Sequence, residues 1–216
     1  MSDNCLHLQT LSVIKRIMKT NIISRLLTFL NISKETNEEK RKIRFEIHHT
    51  KNKVLAEEKQ EMANAVFQKI ESFPEFKTAK TILIYWSMKD ELPTRSIITK
   101  WCQEKQIVLP SIDKKNLLLK VYDINTKMVQ RSLGIWEPDL NETYKGKVDL
   151  AIVPGVAFDL QKNRLGRGKG YYDRFFKRNK TYKIGVGFDF QLLNSVPTSW
   201  HDKPMDKIVT PSNLIE

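Results

Sequence analysis

The sequence predicts a single three-layer α/β domain, Rossmann-like, with a mostly parallel central sheet flanked by helices. Short apolar runs rich in β-branched residues alternate with helical segments along most of the chain, which is the pattern of parallel strands joined by helices. The 216 residues suit one domain with a substantial core. Their composition, 40% hydrophobic and 29% charged, is that of a globular protein.

The predicted domain, residues 38–216, begins with two strongly charged helices. In the second helix Met62 and Val66 lie about one turn apart, and Pro74 ends it. Strands and further helices follow, and the strongest strand signal is VDLAIVPGVAFD. The strands are predicted over 81–86, 106–110, 116–122, 148–159 and 182–188, and the helices over 92–105 and 172–178.

Residues 1–37 form a predicted N-terminal extension of unknown role. Its stretch LSVIKRIMKTNIISRLLTFL (11–30) has apolar positions near helical spacing, four basic residues and no acid. It lacks the cleavage site of a secretory signal. Three interpretations stay open: an amphipathic surface or transit helix, an accessory helix, or an extension from a start codon placed too early, with Met18 as another start.

Charge and cysteine content narrow the partners and the compartment. A net charge of +12 favours polyanions, which include nucleic acids, membrane surfaces and phosphorylated or polycarboxylate small molecules. Cys5 and Cys102 make neither a disulfide framework nor a zinc knuckle, so we expect a reducing compartment and predict the cytoplasm. No apolar run reaches the roughly 20 residues of a membrane span.

The stretch NRLGRGKGYYDRFFKR (163–178) combines flexibility with positive charge. It has glycine at every second position from 166 to 170 and interleaves Arg167 and Lys169. Glycine lets backbone N–H groups approach an anion closely, and the helix that follows adds the positive end of its dipole. The stretch also follows the strongest strand, and ligands of parallel sheets sit beyond the carboxyl ends of strands. It therefore predicts a phosphate-binding loop.

The common phosphate loops do not match this stretch. A Walker A loop needs Ser or Thr where Gly170 stands, and a dinucleotide fingerprint starting at Gly166 needs glycine where Tyr171 stands. Two other interpretations stay open at this point. One is a mobile basic loop without a ligand, and the other is an RNA-binding segment whose arginine and tyrosine side chains stack on bases.

The longer segment PGVAFDLQKNRLGRGKGYYDRF resembles the signature of the 5-formyltetrahydrofolate cyclo-ligase family. Four further segments resemble family motifs in the family's order, and the resemblance covers about 38–216. They are KRKIR (40–44), YWSMKDELPT (85–94), GIWEP (134–138) and PMDKIVTP (204–211). The run between Leu109 and Leu133 departs from the family pattern, so the substrate-side wall is less defined than the glycine loop.

The resemblance implies an ATP-dependent ligase that converts 5-formyltetrahydrofolate to 5,10-methenyltetrahydrofolate, ADP and phosphate. It implies Mg²⁺ as cofactor and ATP as co-substrate. Phosphorylation turns the formyl oxygen into a good leaving group, and N10 then closes the ring. Such a site needs positioning and charge neutralisation more than a covalent nucleophile. Arg167 and Lys169 are the predicted catalytic residues, which stabilise charge on the transferring phosphoryl group.

The resemblance also implies the binding residues. Those for ATP lie on the first helix and the glycine loop: Lys40, Arg41, Lys42, Ile43, Arg44, Arg164, Leu165, Gly166, Arg167, Gly168, Lys169, Gly170, Tyr171 and Tyr172. Those for the folate are Arg44, Trp86, Glu91, Trp136, Arg167, Gly168, Lys169, Gly170 and Tyr171. Glu91 accepts hydrogen bonds from the pterin, whereas Trp86 and Trp136 either stack on the substrate or pack in the core.

Asp173 and Asp206 resemble the family's magnesium ligands, and hard carboxylate oxygens suit that ion. The alternative for Asp173 is an acid at a helix start, which the helix dipole also favours.

The predicted partners are ATP and 5-formyltetrahydrofolate. Because a polyglutamate tail adds negative charge, we expect the polyglutamylated substrate to bind more tightly. No nucleic acid partner and no membrane span are expected, and a monomer is favoured. Two alternatives to the cyclo-ligase are a polyanion-binding protein that has lost the reaction and a related kinase or ligase that acts on another pterin.

Overall fold

The computed structural model describes residues 34–131 and 134–216. The predicted helix over 11–30 therefore lies outside the described residues. The chain divides into two compact units, one ending at Arg41 and one over Lys42–Glu216. The predicted boundary between 37 and 38 stays a prediction. Within the described ranges, no helix combines the length and apolar character that a membrane crossing needs.

The described residues form five α-helices and twelve strands. The helices are α1 (34–51), α2 (Ala56–Ser72), α3 (Pro74–Thr78), α4 (Arg95–Trp101) and α5 (Tyr171–Arg178). The strands are β1 (Thr81–Ile84), β2 (Gln106–Asp113), β3 (Asn116–Tyr122), β4 (Met128–Gln130), β5 (Trp136–Pro138), β6 (Leu150–Pro154), β7 (Ala157–Asp159), β8 (Arg164–Leu165), β9 (Tyr182–Val186), β10 (Leu192–Leu193), β11 (Lys207–Val209) and β12 (Leu214–Ile215).

A seven-stranded sheet forms the middle layer, in the order β12-β11-β9-β6-β1-β2-β3. Its five central strands are parallel, and only the edge strands β3 and β12 are antiparallel to their neighbours. This arrangement confirms the predicted mostly parallel sheet. Two small sheets, β10-β7-β8 and β4-β5, lie outside it.

Helices cover both faces of the central sheet because the side chains of each strand alternate between the faces. Ile82 and Ile84 of β1 pack in a cluster with Ile70 of α2 and Ile98 of α4. Leu83, between them, packs in a second cluster to which Phe175 of α5 contributes. Burying one such aliphatic side chain stabilises the fold by roughly 1.5–3 kcal/mol. The three predicted layers are therefore present.

The strand predicted over 148–159 is wrong as a single element. The chain leaves the central sheet after Pro154, and the next strand, β7, belongs to a small sheet. At Gly155 an added Cβ would lie 2.5 Å from the Phe158 ring, so this close turn requires glycine. The bend directs the chain that follows, including the glycine loop, away from the central sheet.

Candidate active site

A buried carboxylate fixes the base of the glycine loop. Strands β7 and β8 form a hairpin in which Phe158 pairs with Arg164. Asp159, fully buried in the turn, accepts hydrogen bonds from the backbone N–H groups of Gln161 and Asn163 at 3.0 and 2.8 Å. Its other oxygen accepts the Val196 N–H at 2.9 Å. The loop therefore starts from a rigid turn.

The glycine loop itself uses backbone conformations that favour glycine. Gly168 has a φ of 98°, and Gly170, which precedes α5, has a φ of 64°. The Arg44 Nε donates a 2.9 Å hydrogen bond to the Gly166 carbonyl, and its guanidinium carbon lies 3.5 Å from where a Cβ would sit at Gly168. The structure thus brings together Arg44 of α1 and the loop, two elements more than 100 residues apart in sequence.

Arg164 is a buried cation at the start of this loop. Its side chain is 5% exposed, and its guanidinium lies 3.1 Å from Asp173 and 5.4 Å from the centre of the Tyr172 ring. The Arg164 Nε is buried without a hydrogen-bond partner in the described part of the chain. An unpaired buried donor costs free energy, so this atom is a group for which a partner is expected.

The remaining loop residues divide between packing and exposure. Leu165 is buried in a cluster with Ile47, against which Ile43 also packs. The Tyr171 hydroxyl donates a 3.4 Å hydrogen bond to the Lys114 carbonyl. Lys169 is exposed. Leu165 and Ile43 therefore support the site through packing, whereas the Lys169 side chain faces solvent.

The segment over 85–94 is held rigid by its own hydrogen bonds. The Thr94 hydroxyl, fully buried, donates to the Tyr85 carbonyl at 2.7 Å and accepts the Ser87 N–H at 3.0 Å. The Tyr85 hydroxyl in turn donates to the Leu92 carbonyl at 3.0 Å. This network fixes the turn that carries Glu91, whose Oε2 accepts the Met88 N–H at 3.0 Å.

Arg167 joins the glycine loop to this segment. One guanidinium nitrogen lies 2.6 and 2.9 Å from the two Asp90 oxygens and 3.2 Å from the Glu91 Oε1. Burial would raise the pKa of Asp90, but the charge and hydrogen bond of Arg167, together with the charge of Lys51 and a backbone hydrogen bond, outweigh it and leave that pKa below its usual value. The predicted phosphate loop and the predicted folate segment therefore face each other.

The two candidate tryptophans differ in their surroundings. Trp86 packs against the core cluster formed by β1, α2 and α4. Its Nε1 is nevertheless buried without a hydrogen-bond partner among the described residues. Its ring centre lies 5.7 Å from that of Tyr122. Trp136 is 37% exposed on β5, next to Glu137, which is buried. Trp86 is thus partly a core residue, whereas Trp136 is not one.

The two candidate metal ligands lie near opposite ends of the same parallel strands. Asp173 binds Arg164, whose guanidinium also reaches the carbonyl of Pro154 at the end of β6. Asp206 accepts bonds at 2.7 Å from both the backbone and side chain of Lys183, near the start of β9. Lys183 pairs with Ala151, three residues before Pro154 and about 10 Å along the strand.

Among residues 34–131 and 134–216, no group of three or more His, Cys, Asp or Glu side chains could hold a metal ion. Mg²⁺ bound with a nucleotide usually takes only one or two carboxylates together with the phosphates. Asp173 beside the glycine loop fits that need, because each of its oxygens accepts one hydrogen bond and keeps a lone pair. Asp206, paired with Lys183, does not converge with Asp173 in this structure.

Two charged residues of this site were missed by the sequence analysis. Asp90 binds Arg167, and Lys51, at the end of α1, lies 3.8 Å from Asp90 with a side chain only 3% exposed. Asp90 stands inside the quoted segment YWSMKDELPT, so its position beside Glu91 was a usable signal. Lys51 stands in a strongly charged helical stretch, where nothing in the sequence distinguishes a buried lysine from an exposed one.

A cleft of about 500 Å³ lies apart from these residues, between β3 and the far end of α5. None of the predicted site residues lines it. The candidate active site is the surface where the glycine loop, Arg44 and Lys51 of α1, and the segment over 85–94 meet.

Comparison with known proteins agrees with the resemblance seen in the sequence. Residues 36–211 match the model of the 5-formyltetrahydrofolate cyclo-ligase family. The chain is similar to 5-formyltetrahydrofolate cyclo-ligase of Haemophilus influenzae, with 32% identity over 80% of this chain and 97% of that one. The enzyme of Escherichia coli K12 gives 31% identity, over 79% of this chain and 99% of that one.

A solved structure gives the same result. The NMR structure of Aquifex aeolicus 5,10-methenyltetrahydrofolate synthetase superposes with a TM-score of 0.74 and 34% identity, covering 81% of this chain and 91% of that one.

Proposed function

The chain belongs to the 5-formyltetrahydrofolate cyclo-ligase family, and on that premise we propose which of its residues carry out the reaction. It is an ATP-dependent ligase that converts 5-formyltetrahydrofolate to 5,10-methenyltetrahydrofolate, ADP and phosphate. The observation that carries the residue assignment is the bond between Arg167 and the Asp90–Glu91 pair. This bond joins the glycine loop to the segment over 85–94 and so supports phosphoryl transfer between two substrates bound there.

The chemistry requires two bond exchanges. The formyl oxygen attacks the γ-phosphorus of ATP, a P–O bond to ADP breaks, and the carbon becomes activated. N10 then attacks that carbon, its proton leaves, and the C–O bond breaks with its electron pair going to inorganic phosphate. Neither exchange needs a nucleophile from the protein, so the site must bind, orient and neutralise charge.

We assign the neutralising role to the cations of the glycine loop and α1. Arg164 presents a buried unpaired Nε, and Arg44 is already bound to the loop backbone. Arg167 and the exposed Lys169 contact the transferring phosphoryl group. Lys42, Ile43 and Arg44 contact the ATP phosphates together with the loop over 164–172, whose glycines let backbone N–H groups approach them. The roles of Lys40 and Arg41 stay predictions.

The folate side is assigned to Glu91 and Trp86. Glu91 accepts hydrogen bonds from the pterin amino and ring N–H groups once Arg167 has moved to the phosphoryl group. The unpaired Trp86 N–H is a donor for a polar atom of the substrate. Trp136, exposed on β5, stacks on a flat part of the folate.

Mg²⁺ completes the proposal, and Asp173 would hold it beside the glycine loop. When bound, the ion neutralises charge shared by the ATP phosphates. Asp206 as a second ligand stays a prediction, as do the preference for polyglutamylated substrate, the monomeric state and the cytoplasmic location.

The test of this proposal is a near-ultraviolet absorbance assay. Full-length protein is mixed with ATP, Mg²⁺ and 5-formyltetrahydrofolate, and the conjugated methenyl product is followed. We expect product that requires ATP, and a loss of about 10²-fold in Lys169→Ala. Lys53→Ala, an exposed lysine outside the site, is the matched control and should keep full activity.

An active Lys169→Ala variant would overturn the assignment of Lys169 and leave the family reaction intact. The preference for a polyglutamate tail is tested in the same assay at low ionic strength, where equal KM values for mono- and polyglutamylated substrate would contradict it.

A further inference from the structure

Lys51 is a buried cation behind the candidate active site. Its side chain is 3% exposed, and its Nζ lies 3.8 Å from the Asp90 Oδ2. Lysine is almost never fully buried unless it has an anionic partner. Asp90 is the partner that the structure gives it. The pair joins the end of α1 to the folate segment.

Asp90 lies between two cations whose side chains differ in solvent exposure. Its other cation, Arg167, has a side chain 46% exposed on the glycine loop, against 3% for Lys51. Arg167 also contacts Glu91 at 3.2 Å. Arg167 can therefore turn towards an incoming phosphoryl group, whereas the Lys51 side chain is enclosed by the protein.

We propose that Lys51 is a positioning residue for the proposed reaction: it keeps Asp90 paired and in place while Arg167 exchanges Asp90 and Glu91 for the phosphoryl group. This inference rests on the proposed role of Arg167. Without Lys51, the departure of Arg167 would leave Asp90, whose side chain is only 17% exposed, as a nearly buried charge without a cation.

The charges on this surface support such an exchange. In the free protein Lys51 and Arg167 balance Asp90 and Glu91. When Arg167 moves to the phosphoryl group, Lys51 still balances Asp90, and Glu91 becomes free for the pterin. Burial lowers the pKa of Lys51, and the negative charges of Asp90 and Glu91 partly offset that effect. The positive charges of Arg167 and Lys59 also lower the pKa of Lys51, so the departure of Arg167 favours the charged form of Lys51.

The experiment compares Lys51→Met, Asp90→Asn and the double variant in the ATP-dependent absorbance assay, with thermal unfolding run beside it. Lys51→Met should lower kcat by about tenfold, because Asp90 then holds Arg167 in place. Asp90→Asn removes the charge that Lys51 serves. The double variant should therefore be no slower than Asp90→Asn alone. The kcat loss of Lys51→Met should not add to any kcat loss of Asp90→Asn. Lys53→Met, an exposed lysine of the same segment, should match the wild type.

Losses that multiply in the double variant, or a Lys51→Met variant with unchanged kcat, would overturn the inference. If Lys51→Met unfolds, Lys51→Gln, which keeps the length and polarity of the side chain, is measured with the same expectations. The Arg167→Ala variant tests the proposed role of Arg167 separately from that of Lys51. If that variant keeps its kcat, the proposed role of Arg167 fails. If it loses kcat while Lys51→Met does not, only the role of Lys51 fails.

Discussion

Two aspartates contact the glycine loop or the turn before it, the fully buried Asp159 and the partly buried Asp90, and their partners differ in kind. The Asp159 oxygens accept four hydrogen bonds at 2.8–3.0 Å from uncharged donors, three of them backbone N–H groups. Asp90 instead pairs with the side-chain cations Arg167 and Lys51. One carboxylate is fixed by the backbone, and the other is held by side chains.

We call the turn that Asp159 holds the scaffold of the site, and the Asp90–Arg167 pair its responsive part. Backbone donors cannot leave Asp159 without opening the turn between β7 and β8, because the chain itself would have to move. A guanidinium on a half-exposed side chain can exchange one anion for another by rotating its own bonds. Two acids of equal charge in one region can thus differ in how firmly their partners are held, which supports a structural role for Asp159 and the proposed exchange at Asp90.

The largest expected effect comes from the responsive side. Arg167→Ala should lower kcat by about 10²–10³-fold, because it removes the charge that we propose stabilises the transferring phosphoryl group. Its unfolding temperature should change little, since Lys51 still pairs with Asp90 and an ion pair with a half-exposed arginine contributes roughly 0–1 kcal/mol. Steady-state kinetics and thermal unfolding measure the two quantities. Arg178→Ala, an exposed arginine at the end of α5, is the control. If Arg167→Ala lowered the free energy of unfolding by more than it raised the activation free energy derived from kcat, the two aspartates would not differ in role.

The scaffold side should behave in the opposite way. Asp159→Asn replaces one acceptor by an amide donor that faces existing donors, so we expect the free energy of unfolding to fall by about 2–3 kcal/mol. Denaturant unfolding measures this loss. Asp139→Asn, at an exposed ion pair with Arg131, should cost less than about 0.5 kcal/mol. If Asp159→Asn lost activity while keeping full stability, Asp159 would belong to the responsive part.

A variant with a smaller expected effect distinguishes folate binding from ATP binding in the responsive part. Glu91→Gln keeps the size of the side chain but removes the charge that we propose accepts the pterin donors. We expect the KM for 5-formyltetrahydrofolate to rise about tenfold, which corresponds to roughly 1.4 kcal/mol, while the KM for ATP stays near its wild-type value. A rise confined to ATP would show that Glu91 acts only through Arg167.

The smallest expected effect concerns pH. The pKa of Asp90 is lowered in the folded protein, so its ionised form adds stability above the unfolded pKa of about 3.9, and that stability is lost as pH falls through the folded pKa. Asp90→Asn lacks this contribution. The unfolding temperatures of wild type and variant should therefore differ near pH 6 and converge below about pH 4. A constant difference over that range would mean that the ionisation of Asp90 adds no stability.

The fold could be predicted largely because local signals carried it. The apolar run over 81–86 indicated a strand, and the alternation of such runs with helical segments indicated a mostly parallel sheet. The division of 148–159 was not predictable, because the turn depends on the Phe158 ring approaching Gly155 in three dimensions. Apolar pattern alone shows that a segment is buried and does not show to which sheet it belongs.

The candidate site was predicted by motif, and its charge pairs were not. Asp90 and Arg167 are 77 residues apart, and no local pattern relates them. Lys51 looked like one of many exposed lysines, since a charged helical stretch does not show which side chain faces inward. The separate positions of Asp173 and Asp206 likewise follow from strand register, which a single sequence does not contain.

The last strand of the chain has a consequence for handling the protein. The two residues of β12 pair antiparallel with β11 and close one edge of the central sheet, and Glu216 lies 2.6 Å from Lys207 beside it. A chain cut before Leu214 would present β11 as an open strand edge, which pairs readily with other chains. The damage from such a cut would be self-association during expression, with the chemistry of each correctly folded molecule left intact.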